Sequence, residues 1–159
     1  MVYVVMGVAG CGKTTAGTLL AERISARFVD ADDYHTESSI SKMKRGIPLD
    51  DDDRRQWLET LSAIVREHIS AGKPLVLACS ALKQRYRDTL VGDNAASITF
   101  IYLKCDINTV KQRVSSRQNH FMPASLIESQ FADLEEPVGD NVIVVDDIKT
   151  ASALMPGIF

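Results

Sequence analysis

The chain has few cysteines. Cys11, Cys79 and Cys105 are odd in number and show no C-x-x-C spacing, so neither a disulfide framework nor a zinc site is indicated, and a reducing compartment fits. Long apolar runs are missing too. The first, Val2 to Met6, is too short for a secretory signal core, carries no basic leader and runs straight into glycine-rich sequence. No later stretch approaches the roughly 20 residues that a membrane span requires. Nor is there an excess of positive charge. A formal net charge of -3 argues against nucleic acid or a membrane surface as partner, because both favour a basic field. A cytoplasmic location is therefore expected, with no nucleic-acid and no membrane partner, and any anionic substrate has to be gripped by local basic residues. Internal repeats, low-complexity tracts and Gly/Ser linkers are absent, so 159 residues with 45% hydrophobic content read as one domain, residues 1–159.

What is present is alternation. Short β-branched or aliphatic runs at Val2 to Met6, Leu75 to Cys79, Ile98 to Leu103 and Val142 to Val145 read as buried strands, and Arg27 to Asp30 as a shorter fifth. Between them apolar residues recur every three or four positions, as in Ala16, Leu20 and Ile24 or Trp57, Leu61, Ile64, Val65 and Ile69, the helical period. Strands alternating with helices predict an α/β fold with a parallel sheet, whose ligands sit beyond the carboxyl ends of the strands.

The segment GVAGCGKT, Gly7 to Thr14, satisfies G-x-x-x-x-G-K-[ST] and lies where the first strand gives way to a helix, the context that this phosphate-binding loop requires. Gly7 and Gly12 let backbone N–H groups turn inward, and the helix N-terminus adds partial positive charge. The expected ATP-binding set is Gly7, Val8, Ala9, Gly10, Cys11, Gly12, Lys13, Thr14 and Thr15. Lys13 reaches the β- and γ-phosphates and the Thr14 hydroxyl ligates Mg²⁺. Cys11, beside a helix N-terminus and Lys13, is either a reactive thiol or simply a small residue where many loops carry Ser; reactivity also requires exposure.

The second strand ends in FVDADDYH, Phe28 to His35. In an extended backbone Asp30 and Asp32 share a face while Asp33 points away, so the pair can divide the metal side and the acceptor hydroxyl between them. The competing reading is a set of helix-capping aspartates. Val142 to Asp146, a strand ending in an acid, is read as the last strand. The third strand ends in Ser80 with no acid, which leaves Asp30 as the metal-side carboxylate. The run Asp50 to Asp53 follows Pro48 and precedes an amphipathic segment, so it is read as a helix cap and not a metal site. Taken without any comparison, these residues stop at a P-loop phosphotransferase.

Beyond that point the sequence resembles the gluconate kinases, relatives of shikimate kinase among the nucleoside-monophosphate-kinase-like P-loop proteins. The resemblance runs from about residue 3 to 146, through MGVAGCGKT, DADDYH, KMKRGIPLDDDDRRQWL, CSALKQRYRDTL, FIYLK and RQNHFMPASLIESQFADLEEP. It implies a five-stranded parallel sheet in the order 2-3-1-4-5 flanked by helices, a small lid at about residues 117–125, ATP with Mg²⁺, gluconate as acceptor, 6-phosphogluconate as product, and a homodimer. Thr14 and Asp30 would sit at the metal, Asp32 would act as base on the acceptor hydroxyl, and His35 would face the sugar acid. The chain departs from the pattern in having Asn119 before His120, and in ending at Phe159 after Met155, Pro156 and Gly157, where relatives continue a last helix.

A sugar-acid carboxylate calls for a cation, and Arg offers bidentate hydrogen bonds that Lys cannot. Arg54, and Lys83 with Arg87 four residues apart on one expected helical face, are the substrate-carboxylate candidates. Arg113 and Arg117 are either a solvated helix face or nucleotide contacts; their place before HFMP favours the latter, with Arg117 brought over the γ-phosphate as a catalytic residue beside Lys13 and Asp32. His120 either touches phosphate or folds the lid. Two rival readings stand beside gluconate phosphorylation: a kinase of shikimate or a nucleoside monophosphate, and a non-catalytic nucleotide-binding module.

Overall fold

Residues 1–116 and 123–146 are described in the computed structural model of the chain. Five strands form one parallel sheet: β1 (Val2–Met6), β2 (Arg27–Asp30), β3 (Leu75–Ala78), β4 (Ile98–Leu103) and β5 (Val142–Val145). Their order is β2-β3-β1-β4-β5, the order implied by the family resemblance. The third strand ends at Ala78, one residue before its apolar run does, although the Cys79 N–H still donates to the Val5 carbonyl at 3.0 Å.

Period-two alternation divides the core between the two faces of the sheet. Val2, Val4 and Met6 of β1, with Ile98, Phe100 and Tyr102 of β4, enter one apolar cluster, and Val5, Ile101 and Leu103 enter the other. The first face is covered by α3 (Asp51–Ala71) and α4 (Gln84–Val91), through Trp57, Leu61, Val65 and Leu90. The second is covered by α1 (Lys13–Arg23), α5 (Ile107–Ser115) and α6 (Ala124–Asp133), through Leu20, Val110 and Ile127. A buried leucine at such a position contributes about 1.5–3 kcal/mol by leaving water, so the apolar stripes suffice to hold the helices on the sheet.

The run of aspartates does what its position before an amphipathic segment predicts. Asp50 caps α3: its Oδ1 accepts from the Asp53 N–H at 2.8 Å, and Asp53 Oδ2 accepts from the Asp50 N–H at 2.9 Å. Asp53 also binds Lys42, at 2.8 Å, which ties α3 to α2 (Glu37–Lys44). Among the described residues no cluster of His, Cys, Asp and Glu able to hold a metal is found. Among the same residues no helix is long and apolar enough to cross a membrane.

Candidate active site

Because every strand runs the same way, the loops after β1, β2 and β3 open on one edge of the sheet. The loop after β1 is the glycine-rich segment. A Cβ added to Gly7, whose φ is 148°, would stand 2.7 Å from Cys11 Sγ and 2.8 Å from the Leu103 carbonyl oxygen, so only glycine lets the loop turn this close to β4. Gly12, at φ 96°, caps α1 without a side-chain hydrogen bond. The first-turn amides of α1 thus receive no side-chain cap at this position, the arrangement in which a helix N-terminus receives an anion. Lys13 Nζ donates to the Val8 carbonyl at 3.0 Å, a neutral acceptor that a phosphate oxygen can replace.

The loop after β2 supplies the acids. Asp30 Oδ2 accepts from the Thr14 hydroxyl at 3.0 Å, and Asp30 Oδ1 accepts from the Asp32 N–H at 3.0 Å. The extended backbone expected through Asp32 is not found: Ala31–Tyr34 close into a 3₁₀ turn capped by Asp30, because the Asp30 carboxylate offers the backbone N–H two residues on a nearer partner than a strand would. Asp32 lines the same cavity as Lys13 from its open rim, its side chain 78% exposed, and Asp33 is exposed as well. The Nε2–H of His35 faces Asp32 Oδ1 at 3.5 Å. That contact lowers the Asp32 pKa below its ordinary value; partial burial opposes the shift, and the Lys13 charge adds to it.

His35 is held from its other side by Trp57, with ring centroids 4.4 Å apart and 16° between the planes. Trp57 in turn donates to the Ala31 carbonyl at 2.7 Å, which pins the 3₁₀ turn to α3. Among the described residues His35 Nδ1 is the buried side-chain polar atom left without a hydrogen-bond partner. With the proton on Nε2, it is an acceptor awaiting a donor.

Arg54, 7% exposed, reaches the same cavity from the first turn of α3. Its Nη1 donates to the Tyr86 hydroxyl at 2.9 Å and to Asp133 Oδ2 at 3.2 Å. Tyr86 passes its own proton to a short hydrogen bond with Asp51, which also meets Lys83 at 3.3 Å and Arg85. Lys83, expected to face the acceptor carboxylate, is therefore committed to Asp51 and lies outside the cavity lining.

Arg87 is a plain correction. Expected beside Lys83 as a carboxylate ligand, it is 2% exposed and donates to the carbonyls of Ala81 (2.7 Å), Leu82 (3.1 Å) and Glu135 (2.8 Å), and to Gln84 Oε1 (3.1 Å). Lys83 is the residue before α4, not part of it, so the two side chains do not share a ligand-facing helical surface. Arg87 instead holds the turn after β3 against the segment after α6.

Arg113 lies on the other side of the phosphate loop, its Nη1 donating to the Cys11 carbonyl at 3.5 Å and lying 3.6 Å from Cys105 Sγ. Cys11 itself is fully buried. The Cys105 thiol donates to it and draws its pKa down to about 6, against the opposing effect of burial and with help from the Lys13 charge, while the Cys105 pKa rises. A thiol so enclosed lacks the access that reactivity needs. Arg117, His120 and most of the expected lid lie outside the described residues.

Lys13, Asp32, His35 and Arg54 meet in one cavity of about 200 Å³. That is below the roughly 300–1,000 Å³ of pockets for drug-sized ligands, so it suits a small metabolite. The sequence pointed to these four and missed three polar neighbours, Ser80, Ser129 and Gln130. Ser80 lines the cavity from the end of β3. Gln130, on α6, lines it as well, and its Oε1 accepts from the Ala9 N–H of the phosphate loop at 2.6 Å. Gln130 carried no signal of its own, since an uncharged amide 121 residues from its partner follows neither a spacing nor a charge rule.

Comparison with known proteins agrees with this geometry. The family model described as Shikimate kinase matches residues 9–139. A gluconokinase of Gluconobacter oxydans is 43% identical over 141 residues, covering 89% of this chain and 79% of its own. A sugar kinase from Janibacter superposes with a TM-score of 0.89 at 40% identity, covering 99% of this chain and 91% of its own. A gluconokinase from Sinorhizobium meliloti superposes at 0.83 and 36%, covering 98% and 91%.

Proposed function

The chain belongs to the shikimate kinase family of P-loop kinases, on its gluconokinase branch, and from that premise we propose that it transfers the γ-phosphoryl group of ATP to D-gluconate, giving 6-phospho-D-gluconate. One observation carries the reading. A cavity at the mouth of the phosphate loop is lined by a carboxylate, an imidazole with one ring nitrogen lacking a partner, and an arginine.

These groups match the parts of a polyhydroxy acid. Asp32, ionised at neutral pH, takes the proton of the attacking hydroxyl as that proton comes off in the transition state. His35 Nδ1 accepts from a second hydroxyl, which satisfies a buried atom that would otherwise cost about 1–3 kcal/mol. Arg54 has its Nη1 occupied by Tyr86 and Asp133; among the described residues no partner is found for Nη2, which is left for the substrate carboxylate. Trp57 fixes His35, and Asp133 fixes Arg54, so both arrive preorganised.

The residues present also fit the nucleotide and its cation. Thr14 and Asp30 are a hydroxyl and a carboxylate in contact, the hard oxygen donors that Mg²⁺ takes in ones and twos while phosphate and water complete its shell. Bound Mg·ATP supplies the phosphoryl group and a charge that neutralises the leaving oxygens. Lys13 leaves the Val8 carbonyl for the phosphates, the loop amides hold them, and Arg113 secures the loop from behind at the Cys11 carbonyl. Arg117 and His120 are assigned to the closing lid, Arg117 over the γ-phosphate. The chain is further taken to work in the cytoplasm as a homodimer.

The test is direct. Purified protein is given ATP, Mg²⁺ and, separately, gluconate, other sugar acids, shikimate and AMP, with products identified by mass. Gluconate is expected to yield the 6-phosphate; turnover with shikimate or AMP and none with gluconate overturns the substrate.

A further inference from the structure

Gln130 stands at the phosphate end of the cavity, and the way it is bound fixes which end of its amide is left free. A backbone N–H can only donate, so the atom 2.6 Å from the Ala9 nitrogen must be the Gln130 carbonyl oxygen. The amino group is then the end of the amide left over, on a residue that lines one cavity with Lys13 and Asp32. Among the described residues no acceptor is found for that amino group. Gln130 thus brings an amide with a free amino end to the cavity that also holds the lysine of the loop and the acceptor's base.

The support beneath it is firm. α6 is anchored to the sheet by Leu126 and Ile127, both buried, the latter in the same apolar cluster as Val8 and Cys11 of the phosphate loop. A donor on a packed helix, locked at its other end by a backbone amide, costs little reorganisation when charge develops nearby. In a loose phosphoryl transfer, charge spreads over the equatorial oxygens, and Lys13 alone cannot meet all of them.

We propose that Gln130 is a catalytic residue whose amino group donates to the γ-phosphoryl group, so that the Ala9–Gln130 hydrogen bond makes the enzyme sense the third phosphate of the nucleotide. The proposal rests on the kinase reading and deepens it, and it is independent of which acceptor is used. The alternative role is mechanical: Gln130 merely fastens α6 to the phosphate loop.

The two roles separate on Gln130→Glu and Gln130→Met. The glutamate keeps an acceptor for the Ala9 N–H but turns the free donor into a negative acceptor; the methionine removes both ends. Affinity for Mg·ADP and for a non-hydrolysable Mg·ATP analogue is measured by calorimetry without any acceptor, with thermal melts to show that each variant is folded. The expected result is that Gln130→Glu holds ADP within about threefold of the parent and loses the analogue by about 10- to 100-fold. Gln130→Met loses about tenfold in the analogue-to-ADP ratio, and kcat falls about 100-fold in both. A Gln130→Glu protein with the parent's ratio, or a Gln130→Met protein that loses ADP and analogue in parallel, overturns the proposal. No sugar acid enters the binding measurements. Failure of gluconate as substrate would therefore leave this assignment standing, and an unchanged ratio would leave the substrate standing.

Discussion

The imidazole of His35 lies against the indole of Trp57, 4.4 Å between ring centroids, and this stack holds a ring that lines the acceptor cavity with its Nε2 facing Asp32. Replacing His35 with Ala deletes an acceptor for the substrate and frees Asp32 at once. The expected outcome is a rise of about 10- to 100-fold in KM for gluconate, the scale of one lost buried hydrogen bond, with KM for ATP unchanged. Asp32→Asn is expected instead to cut kcat by about 10²- to 10⁴-fold, the range of a lost general base. Steady-state kinetics with each substrate varied in turn distinguishes the two patterns.

Arg87 is expected to matter for stability and not for affinity. Truncation to Ala removes donors from three backbone carbonyls and a glutamine oxygen in a site that is 2% exposed, at a cost of about 3–5 kcal/mol. Chemical denaturation should show that loss, while KM for gluconate in the fraction that folds stays near the parent value. A variant of full stability with weakened gluconate binding would return Arg87 to the substrate site.

Asp51 gives the fold an acid-sensitive joint. The hydrogen bond from Tyr86, then the contact with Lys83, hold its pKa down to about 2. A carboxyl depressed in the folded state stabilises above its unfolded pKa of about 4 and loses that contribution as pH falls through its folded value. Urea midpoints taken from pH 5 down to pH 2 should therefore fall more steeply for the parent than for Asp51→Asn, with the gap between them closing over the interval from about 4 to about 2.

The paired thiols of Cys11 and Cys105 can be separated by removing one. Cys105→Ala takes away the S–H that lowers the Cys11 pKa to about 6, so the thiolate ultraviolet absorbance of the folded protein should titrate at higher pH than in the parent. An unchanged titration would show that the loop amides and Lys13, rather than Cys105, set the charge of Cys11.

Much of this was legible beforehand, and what was not has physical reasons. Strand positions, the phosphate loop and the Asp50 cap each rest on a local rule, such as a β-branched run, a glycine spacing or an acid before a helix, whereas the sheet order follows only from the family resemblance. Asp32 was found for a partly mistaken reason, since the backbone there closes into a 3₁₀ turn, yet the turn still sets it on the rim of the cavity. Arg87 went wrong because charge spacing says nothing about burial: a guanidinium surrounded by carbonyls reads the same in sequence as one facing a substrate. Gln130 was invisible as a reactive group because its role depends on an amide brought to it from the opposite end of the chain by the sheet.

The glycine loop grows out of the centre of the sheet, from β1. That strand is flanked by β3 and β4, with Val2, Val4 and Met6 fully buried. Amides in such a strand exchange with solvent only when the whole molecule opens. The nucleotide grip is thus rooted in the slowest-opening part of the protein, so peripheral fraying leaves it shaped, and ligand at 100 times its Kd should add about 2.7 kcal/mol to global and not merely local protection.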